Sequence, residues 1–76
     1  MPTVLRIGGY KFFFFSHEGN EPAHIHVWRG GAAAKFWLGP VRLARNDGFK
    51  KQELGAVVKM LERHEAQLIQ AWNETQ

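Results

Sequence analysis

Residues 21–28 read Glu-Pro-Ala-His-Ile-His-Val-Trp, and this segment combines strand-forming residues with two of the chain's four histidines. Its isoleucine, valine and tryptophan favour a β-strand, and Pro22 marks where that strand can begin. Because side chains alternate between the two faces of a strand, His24, His26 and Trp28 are predicted to share one face. Two imidazoles about 7 Å apart on one surface indicate chemistry or binding more than packing.

Two Gly-Gly pairs, at residues 8–9 and 30–31, predict two β-hairpins. Glycine readily takes the positive φ angles that two-residue turns require, and such turns set the register of the strands. The predicted partners are Ile7 with Tyr10, Arg6 with Lys11, Leu5 with Phe12, Trp28 with Ala33, His26 with Lys35, and His24 with Trp37. The predicted core faces carry Leu5, Ile7, Tyr10, Phe12 and Phe14 in the first hairpin, and Ile25, Val27, Ala34, Phe36 and Leu38 in the second.

The spacing of the apolar residues becomes helical from about Lys50 onward. The predicted apolar stripe contains Leu54, Val57, Val58, Leu61, Leu68, Ile69 and Trp72. Residues 62–67 supply no apolar anchor, so the pattern fits either one long helix or two helices with a break near His64; we expect one. Before the helix, residues 41–43 are predicted to form a short edge strand and residues 46–48 a turn.

Strands followed by a helix predict an α+β fold in a single domain spanning residues 1–76. We expect a small antiparallel sheet of four to five strands, built from two hairpins, with the C-terminal helix packed on its apolar face. The opposite face is expected to stay exposed to solvent, with His24 and His26 among its cations and tryptophans.

The composition limits the kinds of protein that this chain can be. Without cysteine it has no disulfide and no thiolate metal site, which predicts a cytoplasmic location. We expect no signal peptide and no membrane span, because the N-terminus lacks a basic leader and the apolar run at 12–15 is short. The net charge of +3 and the pI near 9.7 fit an anionic partner such as RNA, DNA or an acidic protein, although solubility alone would also explain them.

Acid–base chemistry on RNA is the first interpretation of the histidine face. His24 and His26 would serve as acid and base in phosphodiester transfer, without a metal or other cofactor, because histidine titrates near neutral pH. Lys35 or Arg6 would stabilise the phosphate in the transition state, and Arg6 and Lys11 would also bind the substrate. Trp28 and Trp37 would stack on unpaired bases.

Three other interpretations stay open. The His-x-His pair would supply two ligands of a metal site, with Glu21 or His17 as the third, although the neighbouring cations oppose this. The face would instead be a non-catalytic interface for a protein or nucleic acid, because exposed tryptophan usually has a reason. Finally, the histidines would be structural and satisfied by nearby backbone or loop carboxylates.

Residues 5–14, 21–27, 34–38, 41–46 and 71–72 together resemble a family of small bacterial proteins known as a domain of unknown function. Its hallmark is Glu-Pro-x-His-Ile/Val-His-Val, followed by a Lys-x-Trp-Leu strand and a helical tail with a tryptophan. The resemblance implies that the signature positions are Glu21, Pro22, His24, His26, Lys35 and Trp37. The chain departs from the family at Lys50, where a serine usually caps the helix, and in its last residues, which lack an aromatic ending.

The resemblance also implies a genetic context, because such proteins are often encoded beside another small domain in a toxin–antitoxin-like pair. We therefore expect a toxin component that acts as a metal-independent ribonuclease. The alternative is a non-catalytic interaction or nucleic-acid-binding module, including an antitoxin role. The expected partners are the small protein encoded nearby and RNA. A homo- or hetero-oligomer is also expected, since Phe13, Phe15, Trp28 and Trp37 form a large apolar surface.

Overall fold

The computed structural model describes residues 3–15 and 19–75, which form a five-stranded antiparallel sheet followed by two helices. The elements are β1 (Thr3–Ile7), β2 (Tyr10–Phe13), β3 (His24–Arg29), β4 (Ala32–Trp37), β5 (Arg42–Asp47), α1 (Lys51–Arg63) and α2 (Glu65–Thr75). The strands lie side by side in chain order. The predicted α+β class is thus confirmed.

Both predicted hairpin registers are confirmed. In the first hairpin Arg6 lies opposite Lys11, and in the second His26 lies opposite Lys35. All four turn glycines have positive φ angles, as the two-residue turns require. The two hairpins join through β2 and β3, where Phe13 lies opposite His26.

The fifth strand is longer than predicted. It extends over Arg42–Asp47 instead of residues 41–43, because pairing with β4 continues past a bulge through Asn46 and Asp47. The turn begins two residues later than predicted, at Gly48, whose φ is 105°. The Asn46 side chain stabilises this turn by donating to the carbonyl of Phe49 and accepting from its N–H, both at 3.0 Å. Strand pairing therefore outweighed the local turn preference.

The second strand is shorter than predicted. The β-forming run from Tyr10 to Ser16 predicts a strand over that whole range, but β2 ends at Phe13. Ser16 lies outside the described residues, as does His17.

The expectation of one long helix is wrong. His64 separates α1 from α2, and its φ and ψ angles are −112° and 13°. Its N–H donates to the carbonyls of both Met60 and Leu61 at 3.2 Å, and its own carbonyl accepts from Leu68 at 3.0 Å. None of residues 62–67 is buried, so packing against the core does not hold this stretch in one continuous helix. At the other end of α1, the Glu53 carboxylate accepts the Lys50 N–H at 3.1 Å, which partly replaces the missing serine cap.

The core lies between the sheet and the helices, as predicted. Both apolar hairpin faces contribute to it, together with one side of each helix. The buried apolar residues are Tyr10, Phe12, Phe14, Ile25, Val27, Ala34, Phe36, Leu38, Phe49, Val57, Leu61, Leu68 and Trp72. Among the described residues, neither helix combines the length and the apolar character needed to cross a membrane.

Candidate functional site

The sheet carries aromatic and cationic side chains on the face opposite its main core, which we call the open face. Strand pairing aligns Phe13, His26, Lys35 and Arg45 in one row across β2 to β5. A second row contains Arg6, Lys11, Trp28, Ala33 and Asp47 across all five strands. The open face is completed by Trp37, two residues beyond Lys35, and by Phe15, just after β2.

A groove of about 630 Å³ crosses this face. Its aromatic and charged lining residues are Phe13, Phe15, His26, Lys35, Trp37, Arg45 and Asp47. This volume lies within the range of ligand sites in proteins. The lining combines flat aromatic rings with cations, which suits a ligand that has both π-faces and negative charge.

His26 lies in this groove, held between phenylalanine rings. Its ring stacks on Phe13 at a centroid distance of 5.6 Å and an interplanar angle of 18°. Phe15 makes an edge contact with it at 4.4 Å. Because His26 is half-buried and lines the groove, a ligand there can contact its ring.

His24 occupies a different environment, and the expectation that it would lie on a solvent-exposed surface is wrong. Its exposed fraction is 0%. Its Nδ1 atom donates to the carbonyl of Pro22 at 3.0 Å, which fixes a proton on that nitrogen. The Trp72 ring of α2 covers it, with the ring centroids 4.6 Å apart. Strand alternation correctly predicted which side His24 faces, but not that a helix residue would cover it.

Lys35 is held by the carboxylate of Glu21, which was predicted as a possible metal ligand and as a signature position of the family. Its Nζ atom lies 2.9 Å from Oε1 of Glu21 and 4.7 Å from the centre of the Trp37 ring. The same Glu21 oxygen is 3.6 Å from Nδ1 of His24. The signature residues thus form one cluster in which Glu21 positions the lysine. In the sequence, the signal that could have indicated this cluster was the family motif that these residues share.

The other predicted binding residues lie at the β1–β2–β3 end of the open face. Trp28 is 40% exposed, and Nζ of Lys11 lies 5.1 Å from the centre of its ring. Arg6 is exposed directly opposite Lys11, as predicted. Sequence reasoning missed Arg45, which brings a further cation to the groove and pairs with Asp47 at 3.0 Å.

The predicted metal site receives no additional ligand from the described part of the chain. No group of three or more histidine, cysteine, aspartate or glutamate side chains in residues 3–15 and 19–75 could hold a metal ion. Of the two predicted third ligands, Glu21 contacts Lys35, and His17 lies outside the described residues.

Comparison with known proteins identifies the family but no characterised relative. The family model described as "Domain of unknown function (DUF4160)" matches residues 9–73. No curated protein and no solved structure matches the chain. The matched region contains Gly9 of the first hairpin turn, the whole second turn, the histidine strand, α1 and most of α2. The chain therefore belongs to the DUF4160 family of domains of unknown function.

Proposed function

We propose that this protein binds single-stranded RNA across the open face of its sheet. The observation that carries the proposal is the row of Phe13, His26, Lys35 and Arg45 across four strands, flanked by exposed Phe15 and Trp28. An unpaired strand presents both the π-faces of its bases and its phosphates to such a surface. Base–aromatic stacking contributes about 1–3 kcal/mol per base.

The charges of the open face favour a particular place for the phosphates. Nζ of Lys35 lies 2.9 Å from Oε1 of Glu21, and Nε of Arg45 lies 3.0 Å from Oδ2 of Asp47. Each of these two cations therefore already has a carboxylate partner. Arg6 and Lys11 instead lie directly opposite each other as like charges, which a bound phosphate would relieve. Trp28 pairs with Lys11 across β2 and β3, so a phosphate at the two cations puts the adjoining base within reach of the Trp28 ring.

The same geometry favours binding over the predicted acid–base catalysis. A general acid or base must come within hydrogen-bond reach of the group that it protonates or deprotonates. His24 is completely buried and bonded to Pro22, so His26 and Lys35 alone of the predicted catalytic residues line the groove. We therefore put the nucleic-acid-binding function ahead of the ribonuclease.

The proposed biological role keeps the toxin–antitoxin context that the family resemblance implies. Inducible expression of the protein alone and together with its genomic neighbour tests it. Growth arrest by the protein alone, relieved by the neighbour, supports a toxin role, and harmless expression at high level contradicts it. Oligomerisation and a cytoplasmic location also remain predictions.

Fluorescence anisotropy tests the RNA proposal directly. The probes are labelled single-stranded RNAs of about 12 nucleotides, their DNA counterparts and an RNA duplex of the same length. We expect the single strand to bind at least about tenfold more tightly than the duplex, because paired bases cannot stack on side chains. Equal affinity for single strand and duplex would contradict the proposal.

A matched pair of variants locates the binding. Trp28→Ala should weaken RNA binding by about 5- to 150-fold, which corresponds to the loss of one stacked base. Leu43→Ala removes another exposed apolar side chain, on β5 opposite the core residue Phe36 and therefore off the open face, and should leave the affinity unchanged. Similar losses in both variants would show non-specific binding instead.

A further inference from the structure

A second groove lies on the helical side of the molecule and shares no lining residue with the open face. It has a volume of about 460 Å³. Its lining residues are Ile7, Ala56, Lys59, Met60, Arg63 and His64. Ile7 is the last residue of β1, and the others belong to α1 or to its C-terminal cap.

The spacing of the lining residues along α1 explains the shape of the groove. Ala56, Lys59, Met60 and Arg63 recur at intervals of three and four, so they share one side of the helix. This side differs from the one that buries Val57 and Leu61 in the core. Met60 and Ile7 pack against the core on one side but are only half-buried, and they form an apolar floor that residues 3–15 and 19–75 leave partly exposed.

Positive charge borders this apolar floor. The cations Lys59 and Arg63 are exposed, and the imidazole of His64 lines the groove at the helix end. In residues 3–15 and 19–75, no carboxylate lines the groove. The nearby acid of the first turn of α1, Glu53, instead pairs with Arg29 at 3.5 Å.

We propose that this groove docks an acidic amphipathic helix of a protein partner. Apolar side chains of the helix would pack on Ile7 and Met60, and its flanking carboxylates would meet Lys59 and Arg63. Complementary charge also accelerates association and selects against basic partners. Nucleic acid fits this groove poorly because its lining has no aromatic ring on which a base could stack.

An NMR titration of the full chain with a synthetic probe tests the proposal. The probe is a helix-forming peptide of about 15 residues, with leucines at intervals of three and four flanked by glutamates. A second peptide has lysine at every glutamate position, and decanoate serves as a small anionic amphiphile. We expect the glutamate peptide to shift the amide signals of Ile7, Ala56, Met60 and Arg63 and to bind at least about tenfold more tightly than the lysine peptide.

Charge reversal provides the decisive variants. Lys59→Glu combined with Arg63→Glu should abolish the preference for the glutamate peptide and favour the lysine peptide. Lys50→Glu combined with Lys51→Glu makes the same change in net charge at the helix start, outside the groove, and should preserve the original preference. Circular dichroism melts establish that both double variants remain folded.

Several results would overturn the proposal. One is an unchanged peptide preference after charge reversal at Lys59 and Arg63, and another is an equal loss of that preference in the control variant at Lys50 and Lys51. The others are amide shifts confined to the open face, and binding of decanoate without binding of the glutamate peptide. Absence of any peptide-induced shift would overturn it too. RNA affinity is measured on the same variants and bears on the open face alone, so failure of either proposal leaves the other intact.

Discussion

His24 and His26 lie two residues apart on one strand and face the same side of the sheet, yet their environments differ. His24 is completely buried under Trp72, whereas His26 is half-buried and lines a groove open to ligands. The difference arises because α2 covers the start of β3 and leaves its middle accessible. Identical sequence patterning therefore produced one fully buried histidine and one half-buried histidine that lines a groove.

Removing the cover of His24 should have the largest effect. Trp72→Ala should lower the free energy of unfolding by about 3–5 kcal/mol, because it deletes a buried ring that packs on His24 and Phe14. Trp28→Ala deletes an indole of the same size from the exposed surface and should change it by about 0.5 kcal/mol or less. Urea denaturation measures both. Equal destabilisation by the two substitutions would mean that the Trp72 ring over His24 contributes no more to stability than the exposed Trp28 ring.

Alanine at each histidine should separate stability from binding. His24→Ala should lower the free energy of unfolding by about 1–3 kcal/mol, since it removes a buried side chain and its hydrogen bond to Pro22. His26→Ala should change stability less and weaken RNA binding, because His26 lines the groove. Denaturation and anisotropy on both variants make the comparison. The interpretation fails if His24→Ala is as stable as the wild type but loses RNA binding.

Releasing Lys35 from its carboxylate should have the smallest effect on stability. Glu21→Gln removes a partly exposed ion pair, which typically contributes about 0–1 kcal/mol. It also adds one uncompensated positive charge beside the groove, so RNA affinity should rise and its logarithmic salt dependence should steepen by about one unit. Asp47→Asn releases Arg45 in the same way and is the matched comparison. Unchanged salt dependence in both variants would place the RNA phosphates away from these cations.

Local chemistry was sufficient to predict much of the sheet. The two Gly-Gly pairs determined both hairpin registers, because a two-residue turn leaves little freedom in strand pairing. Alternation then predicted the buried faces of both hairpins and the shared side of His26 and Lys35. The open face could thus be recognised from sequence, together with most of its aromatic and cationic residues.

Tertiary structure decided what each of these side chains contacts. The sequence pattern did not reveal that Trp72 would bury His24, that Glu21 would hold Lys35, or that Arg45 would enter the groove. These contacts join residues far apart in the chain, and their formation depends on how strands and helices pack together. Likewise, the sequence fitted either one helix or two with a break near His64, and only the structure decided for two. Turns and alternation act between near neighbours and can be read from sequence, whereas burial depends on which distant element covers a surface.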